Sequence, residues 1–238
     1  MDRYGGPMIA KSISHKPLPA KSKPVTKSRS GKAAPDEQRY HHGALDQALL
    51  QAAEIVLERE GLQGLTLRAV AREAGVSHAA PTHHFGDLTG LLSELAAIGF
   101  RRFGRTMGEA GAIDGTGNEI AMARARAYVA YAKANPGMYG LMFRTERLDM
   151  NRPALREAAN ASFAGLTRAI GAKRQEEISE NSLSMDQAAE IARSWSLVHG
   201  YTMLMLDGRL VDILNRLPDG TDAETLLVAM LKSTVAQH

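Results

Sequence analysis

Hydroxyl, imidazole and guanidinium side chains are concentrated in one short stretch of the sequence, residues 66–84. Side chains of these types donate and accept the hydrogen bonds by which proteins contact phosphate oxygens and base edges. Patterns typical of catalysis are missing from the sequence. There is no cysteine, no glycine-rich phosphate loop, no H-E-x-x-H zinc motif and no nucleophile elbow. The sequence therefore favours a binding protein, and we expect no enzyme activity, no cofactor and no metal site.

The spacing within this stretch predicts two short helices joined by a tight turn. Thr66 is a good N-cap for the first of them, and Gly75 permits the positive φ that the turn requires. The second helix is expected near 77–84, with Ser77 as its cap. Together with a helix predicted over 44–60, they form a helix-turn-helix pattern whose last helix would enter a DNA major groove. A helical hairpin that makes no DNA contact is the alternative on spacing alone.

This region also contains two short strings that are typical of a known protein family. They are Tyr-His-His-Gly at 40–43 and Ser-His-Ala-Ala-Pro at 77–81. They resemble the DNA-binding head of the tetracycline-repressor (TetR) family. In the second half, Trp195 followed by the pair His199-Gly200 is similar to the signature of one C-terminal domain class in that family. The resemblance implies DNA contacts from ten residues of the head: Arg39, Tyr40, Thr66, Arg68, Ser77, His78, Ala79, Thr82, His83 and His84.

The resemblance also implies a function. Such proteins are ligand-responsive, one-component transcriptional regulators, most often repressors. They bind a near-palindromic operator as homodimers and leave it when a small molecule binds. A DNA-associated helical protein without an inducer is the alternative. Two positions depart from the family pattern, because Thr82 stands where an aromatic residue is expected and Leu88 where a lysine is expected. Both family residues would contact phosphate.

Charge is distributed unevenly between the N-terminus and the predicted head. Residues 1–38 hold eight Lys/Arg and three Asp/Glu, whereas residues 39–91 hold four Arg and six Asp/Glu. The first segment also has few large apolar residues, so we predict a disordered basic arm. Our hypothesis is that this arm supplies the attraction to phosphate that the head lacks. A solubilising leader is the alternative.

The remainder of the chain predicts an all-α fold, with a helix-turn-helix domain at 39–87 and a larger helical domain at 88–238. Further helices are expected at about 88–107, 118–134, 137–147, 153–173, 185–207 and 222–236. The last two would start at capping boxes, Ser184 with Gln187 and Thr221 with Glu224. Glycines at 108, 111, 115 and 117 predict a loop after the first. No apolar run is long enough to span a bilayer, and the basic N-terminus lacks the apolar region of a signal peptide. We therefore expect a cytoplasmic protein without a membrane partner.

Methionine and aromatic residues recur at helical spacing in the larger domain. This pattern is usually core, but it also suits a pocket for an apolar or amphipathic effector. The segment 136–143 is the best candidate wall, because its small glycines leave room beside large side chains. His199 is either a polar anchor for a ligand or, as we favour, a buried imidazole bonded to backbone. The predicted pocket residues are Tyr128, Tyr131, Met138, Tyr139, Met142, Phe143, Phe163, Trp195 and His199.

Apolar residues also recur every three or four positions along the last two predicted helices. A helix-turn-helix protein gains specificity from two heads placed about 34 Å apart, one turn of DNA. A homodimer built on these helices would supply both heads, whereas a monomer would bury the same residues internally. The predicted interface residues are Ile191, Trp195, Val198, Thr202, Leu226, Leu227 and Met230.

Overall fold

The computed structural model describes residues 35–179 and 181–235, with side chains over 43–179 and 181–233. Of the predicted basic arm, residues 1–34 lie outside the described part of the chain, and residues 35–38 belong to the first helix. The described residues form ten α-helices and one 3₁₀ helix (Thr145–Arg147), without a strand, which confirms the all-α prediction. The α-helices are α1 (Pro35–Gly64), α2 (Leu67–Glu73), α3 (Ala80–Phe85), α4 (Leu88–Ala110), α5 (Gly117–Ala134), α6 (Pro136–Met142), α7 (Pro153–Arg174), α8 (Met185–Leu206), α9 (Val211–Leu214) and α10 (Ala223–Val235).

Helices α2 and α3 form the predicted helix-turn-helix. The Thr66 side chain accepts a hydrogen bond from the backbone N–H of Ala69 at 3.1 Å, so the predicted cap of α2 is confirmed. Gly75 has a φ of 67°, as the turn requires. The predicted start of the second helix is wrong, because α3 begins at Ala80 and Ser77 belongs to the turn before it. Pro81 explains the later start, since a proline is tolerated in the first turn of a helix but not further along.

One apolar core extends from the head into the larger domain. It includes Val56 on α1, Val70 on α2 and Phe85 on α3, and it continues through α4 to Leu155 on α7. Helix α4 packs against α1 and α3 and most extensively against α7. The predicted domain limit at 87/88 therefore crosses a continuous core, and α4 positions the head relative to the rest of the chain.

Several helix boundaries differ from the predictions for local reasons. Ser184 and Gln187 form the predicted capping box at α8. The box predicted at Thr221 and Glu224 is not the cap of α10, because Asp222 accepts the bond from the Thr225 N–H at 2.8 Å and α10 starts at Ala223. The helix predicted over 137–147 divides into α6 and the 3₁₀ helix. Within the described residues, no helix is long and apolar enough to cross a membrane.

Candidate functional site

The surface formed by α2, α3 and the turn between them carries most of the predicted DNA contacts. Thr66 is exposed, but its hydroxyl oxygen caps α2, so it can offer DNA only its remaining hydrogen-bonding capacity. The start of α2 and the turn after it therefore both present polar groups to solvent. The other predicted contacts that are exposed are Arg68, Ser77, His78, Ala79, Thr82 and His83.

His84 has a different role from its neighbours. Its side chain is only 7 % exposed and its Nδ1 is paired with the Asp46 carboxylate of α1. This pair holds α3 against α1, so the imidazole is used inside the head and is not presented on the DNA-facing surface. Arg39 and Tyr40 lie in the first turns of α1, and their side chains are outside the described residues.

Only part of the positive charge of the head is available to DNA. The Arg59 guanidinium lies 2.9 Å from both Glu60 and Glu73, and the hydrogen bond to Glu73 raises its pKa above the ordinary value. Arg68 and Arg72 are exposed and make no ion pair with any described residue. Among the residues of the head whose side chains are described, these two arginines are therefore the guanidinium groups available to phosphate.

Arg152 joins the head to the larger domain. It precedes α7, and its Nε donates to the Glu94 carboxylate of α4 at 2.7 Å. Its Nη1 lies 3.5 Å from the Phe85 carbonyl oxygen, at the end of α3. Gly90 permits this approach, since a Cβ at that position would overlap both the Phe85 carbonyl and the Arg152 guanidinium. A single side chain of the larger domain thus touches the end of the helix-turn-helix and the start of α4.

A cavity of about 1920 Å³ lies at the other end of α4, between α4, α5, α7 and α8. This volume exceeds the roughly 300–1,000 Å³ of most small-molecule sites. Its wall is mainly apolar, and Phe163 and Trp195 remain 38 % and 41 % exposed on it. The predicted pocket residues that line it are Tyr128, Met142, Phe143, Phe163 and Trp195.

The four other predicted pocket residues are absent from the cavity wall because they pack against one another or against the backbone. The Tyr131 hydroxyl donates to the Gly99 carbonyl oxygen at 3.0 Å, and the Met138 sulfur packs over the same glycine. Tyr139 is fully buried and bonds to His199. The segment 136–143 therefore supplies only its last two residues, Met142 and Phe143, to the cavity.

His199 is bonded to two phenols, and not to backbone as the sequence analysis favoured. Its Nδ1 lies 2.8 Å from the Tyr139 hydroxyl and 3.0 Å from the Tyr128 hydroxyl. A neutral Nδ1 accepts one hydrogen bond, so only one phenol donates to it at a time. When Tyr128 is that donor, Tyr139 can donate to the Tyr128 oxygen at 3.2 Å. Burial lowers the pKa of His199 and raises the pKa values of both tyrosines. This neutral cluster ties α5, α6 and α8 together directly behind the cavity wall.

Two groups of cavity residues were missed by the sequence analysis. The first consists of glycines on the last turns of α4 and just beyond it, Gly104, Gly108 and Gly111. They were interpreted partly as a loop, although their spacing of three and four residues is that of one helix face. The second consists of arginines and lysines from several helices, whose convergence leaves no signal along the chain.

The predicted dimer residues do not share one surface. Ile191, Thr202 and Leu227 are buried within the chain itself, so they are not available to a partner. Trp195 and Val198 line the cavity, while Leu226 and Met230 pack beside Tyr201 in a second small core. The outward face of α8 is instead the neighbouring stripe, whose exposed members are Met185, Ala189, Ala192, Ser196 and Leu204.

Comparison with protein families agrees with this geometry. Residues 49–95 match the model described as bacterial regulatory proteins, tetR family, and residues 121–233 match the tetracyclin repressor-like C-terminal domain. The chain belongs to the TetR family of transcriptional regulators. As a TetR-family protein it is a DNA-binding transcriptional regulator, and its helix-turn-helix is the α2–α3 unit.

Individual relatives of this TetR-family chain are distant. It is 27 % identical over 97 residues to YobS of Bacillus subtilis (strain 168), an uncharacterized HTH-type transcriptional regulator. That match spans 41 % of this chain and about half, 50 %, of the relative. Among solved structures, a protein with unknown function from Rhodococcus sp. RHA1 is 30 % identical, with 84 % of this chain and 98 % of the other covered at a TM-score of 0.66. The TetR-family regulator PfmR from Thermus thermophilus is 18 % identical, with 77 % and 94 % covered at a TM-score of 0.52.

Proposed function

We propose that this TetR-family protein is a homodimeric repressor that a small-molecule effector releases from a near-palindromic operator. The observation that carries the proposal is the position of α4 between two functional surfaces. Its first residue, Leu88, follows the helix-turn-helix directly, and its last turns form part of the cavity. Its 23 residues span about 34 Å at 1.5 Å per residue. A ligand that favours one position of the far end of α4 would therefore shift the population of head positions.

Arg152 supplies a second connection between the cavity domain and the head. It stands at the start of α7, and α7 forms another wall of the cavity. The guanidinium reaches Glu94 and the end of α3, so a shift of α7 against α4 would act on the helix-turn-helix through this contact. Helices α4 and α7 both line the cavity and contact the head, so they can couple ligand binding to operator release.

The exposed stripe of α8 supports the homodimer. Met185 is 83 % exposed and Leu204 is 44 % exposed, and the small residues Ala189, Ala192 and Ser196 lie between them. Small side chains let two helices approach closely, and the apolar ends would be covered when a second copy packs on the stripe. Two copies also provide the two heads that a palindromic operator needs.

DNA binding is tested with the duplex that flanks the protein's own gene and with a random duplex of equal length. At roughly 150 mM salt, nonspecific binding is weak, so we expect saturable binding to the flanking duplex only. An Arg68→Gln variant should bind it more weakly, because one exposed phosphate-facing cation is lost. Arg105→Gln, which removes the same charge from the exposed side of α4, is the matched control and should bind as the parent does. Equal binding of both duplexes would contradict the proposal.

The homodimer is tested by the mass of the particle in solution. Ala192→Glu places a charge in the middle of the exposed α8 stripe without entering the core, so it should convert dimers to monomers and weaken operator binding. Ala130→Glu, at an exposed position of α5, is the matched control and should leave the mass unchanged. A parent protein that sediments as a monomer at micromolar concentration would refute this part of the proposal.

A further inference from the structure

The cavity wall has an unusual charge composition. The whole chain is nearly balanced, with 29 Lys/Arg and 26 Asp/Glu. The wall, in contrast, contains seven basic residues and a single acidic one, Glu119. Glu119 is already used, because its carboxylate accepts the Thr116 backbone N–H in the capping box of α5. The basic residues of the wall are Arg101, Arg124, Arg126, Arg168, Lys173, Arg193 and Lys232.

Neighbouring carboxylates compensate only part of this charge. Glu190 serves two of the cations, since it lies 2.8 Å from Arg193 and 3.9 Å from Lys173. Glu224 lies 3.1 Å from Arg126. Three other basic residues of the wall make no ion pair with any described residue, namely Arg101, Arg124 and Lys232. A positive potential therefore remains inside an apolar cleft, where low-dielectric walls strengthen it.

Arg124 is a cation of the wall, unpaired among the described residues, whose side chain packs against the end of α4. Its side chain is partly buried, and this burial lowers its pKa below the ordinary value. Its guanidinium lies against Gly111, where a Cβ would overlap it, and its Nε is 3.5 Å from the Met107 carbonyl oxygen. That long contact uses one of the five N–H donors of the group. The remaining donors are positioned at the end of α4 with no carboxylate in reach among the described residues.

The rest of the wall suits an apolar molecule. Phe103, Met107, Phe163 and Trp195 line it, and the last two are more exposed than aromatic side chains of a core. We propose that the cavity binds an amphipathic organic anion, with an apolar body against these side chains and a carboxylate or phosphate head on Arg124. The inference rests on the proposed function, because it names the effector class for that same cavity.

Trp195 provides a direct binding signal, since it is the only tryptophan in the sequence and lies on the wall. Its fluorescence is followed while the protein is titrated with four twelve-carbon probes below their micelle concentrations. These are dodecanoate, dodecyl phosphate, dodecanol and dodecyltrimethylammonium, so the length of the apolar body is constant and only the head differs. We expect saturable binding of both anions, at least about tenfold weaker binding of the alcohol, and none of the cation.

Two variants locate the anion. Arg124→Gln should weaken dodecanoate binding roughly ten- to a hundredfold and leave dodecanol binding unchanged, because only the anion uses the guanidinium. Arg105→Gln removes an equal charge outside the cavity and should bind all probes as the parent does. Gly104→Leu adds a side chain to the cavity wall on α4, where a Cβ meets no atom within 4 Å. This variant should fold and change the affinity of every probe that binds, because all of them contact the same wall.

The outcomes separate this inference from the proposed function when operator binding is measured with the same probes. Equal binding of dodecanol and dodecanoate, or tight binding of the cation, would overturn the anion assignment. If dodecanol or dodecyltrimethylammonium nevertheless released the protein from the operator, the proposal of a ligand-responsive repressor would remain supported although the anion assignment had failed. Anion binding that depends on Arg124 but leaves operator affinity unchanged would support the site and refute effector release. Probe affinities that Gly104→Leu leaves unchanged would overturn the assignment to this cavity.

Discussion

The contact between Arg152 and Glu94 should contribute measurably to the stability of the whole protein. It joins the start of α7 to α4 and, through the Phe85 carbonyl, to the end of α3. The perturbation is a double-mutant cycle of Arg152→Ala, Glu94→Ala and the combined variant. Such a cycle isolates the energy of the pair from the effects of each side chain on its other neighbours.

The expected magnitude follows from the geometry of the pair. The Nε to Oε1 distance of 2.7 Å is that of a charge-assisted hydrogen bond, which contributes about 1.5–3 kcal/mol when well shielded. The two side chains are 27 % and 25 % exposed, so solvent screening reduces this figure. We expect a coupling energy of about 1–2 kcal/mol. For a chain of this size, this corresponds to a shift in Tm of roughly 2–8 °C.

The assay is equilibrium unfolding in urea at pH 7, followed by circular dichroism, with thermal unfolding as a second measurement. Arg156→Ala is the matched control, because Arg156 lies one turn further along α7, is exposed and makes no ion pair with any described residue. That variant should change the free energy of unfolding by less than about 0.5 kcal/mol. A coupling energy below about 0.3 kcal/mol for the Arg152–Glu94 pair would refute the inference that it holds the head to the larger domain.

Three other predictions concern the N-terminus, the buried histidine and the start of α2. Deleting residues 1–34 removes eight Lys/Arg and one acidic residue, so the slope of log K against log salt for DNA binding should flatten by about 0.9 for each lost phosphate contact; an unchanged slope would show that the segment makes none. Burial lowers the pKa of His199, so as the pH falls this imidazole is protonated in the unfolded state before it is protonated in the folded state. The free energy of unfolding, measured in urea, should therefore keep its full value above about pH 6.5 and fall as the pH drops through the folded pKa. His199→Gln should lose less stability than the parent between pH 7 and pH 5, and an equal loss would contradict the assignment. Thr66→Ala should lower the free energy of unfolding by about 1 kcal/mol, because the α2 cap is lost. The control is Thr89→Ala, whose hydroxyl makes no side-chain hydrogen bond in the described structure, and it should lower this free energy by less than about 0.5 kcal/mol. Equal losses in the two variants would mean that the cap contributes little.

The helix-turn-helix shows where local reasoning succeeds. The cap at Thr66 and the turn at Gly75 depend on residues within three or four positions of each other, so the order of residues is sufficient to find them. Where two local signals compete, the outcome is less certain. Ser77 is a good cap by type, but Pro81 requires a later start for α3, and Asp222 replaces Thr221 one residue further along.

The cavity shows where local reasoning ends. Methionine and aromatic spacing identified five wall residues, but the same pattern included Tyr139 and His199, which bond to each other across 60 positions of sequence. Both residue types fit a pocket and a core equally well, and only their partners distinguish the two environments. Each of these partners belongs to another helix.

The sequence by itself therefore determined the helical class and the helix-turn-helix, because these depend on periodicity and on hydrogen bonds between near neighbours. The regulator family was indicated by the resemblance of the strings at 40–43 and 77–81. Tertiary packing decided which face of α8 is exposed, since α5 and α7 pack against this helix, Ile191 and Thr202 are buried, and Ala192 remains exposed. It also brought Arg101, Arg124 and Arg193 from three helices into one cavity. That convergence depends on how the helices pack across the core, and residues distant along the chain carry no local record of it.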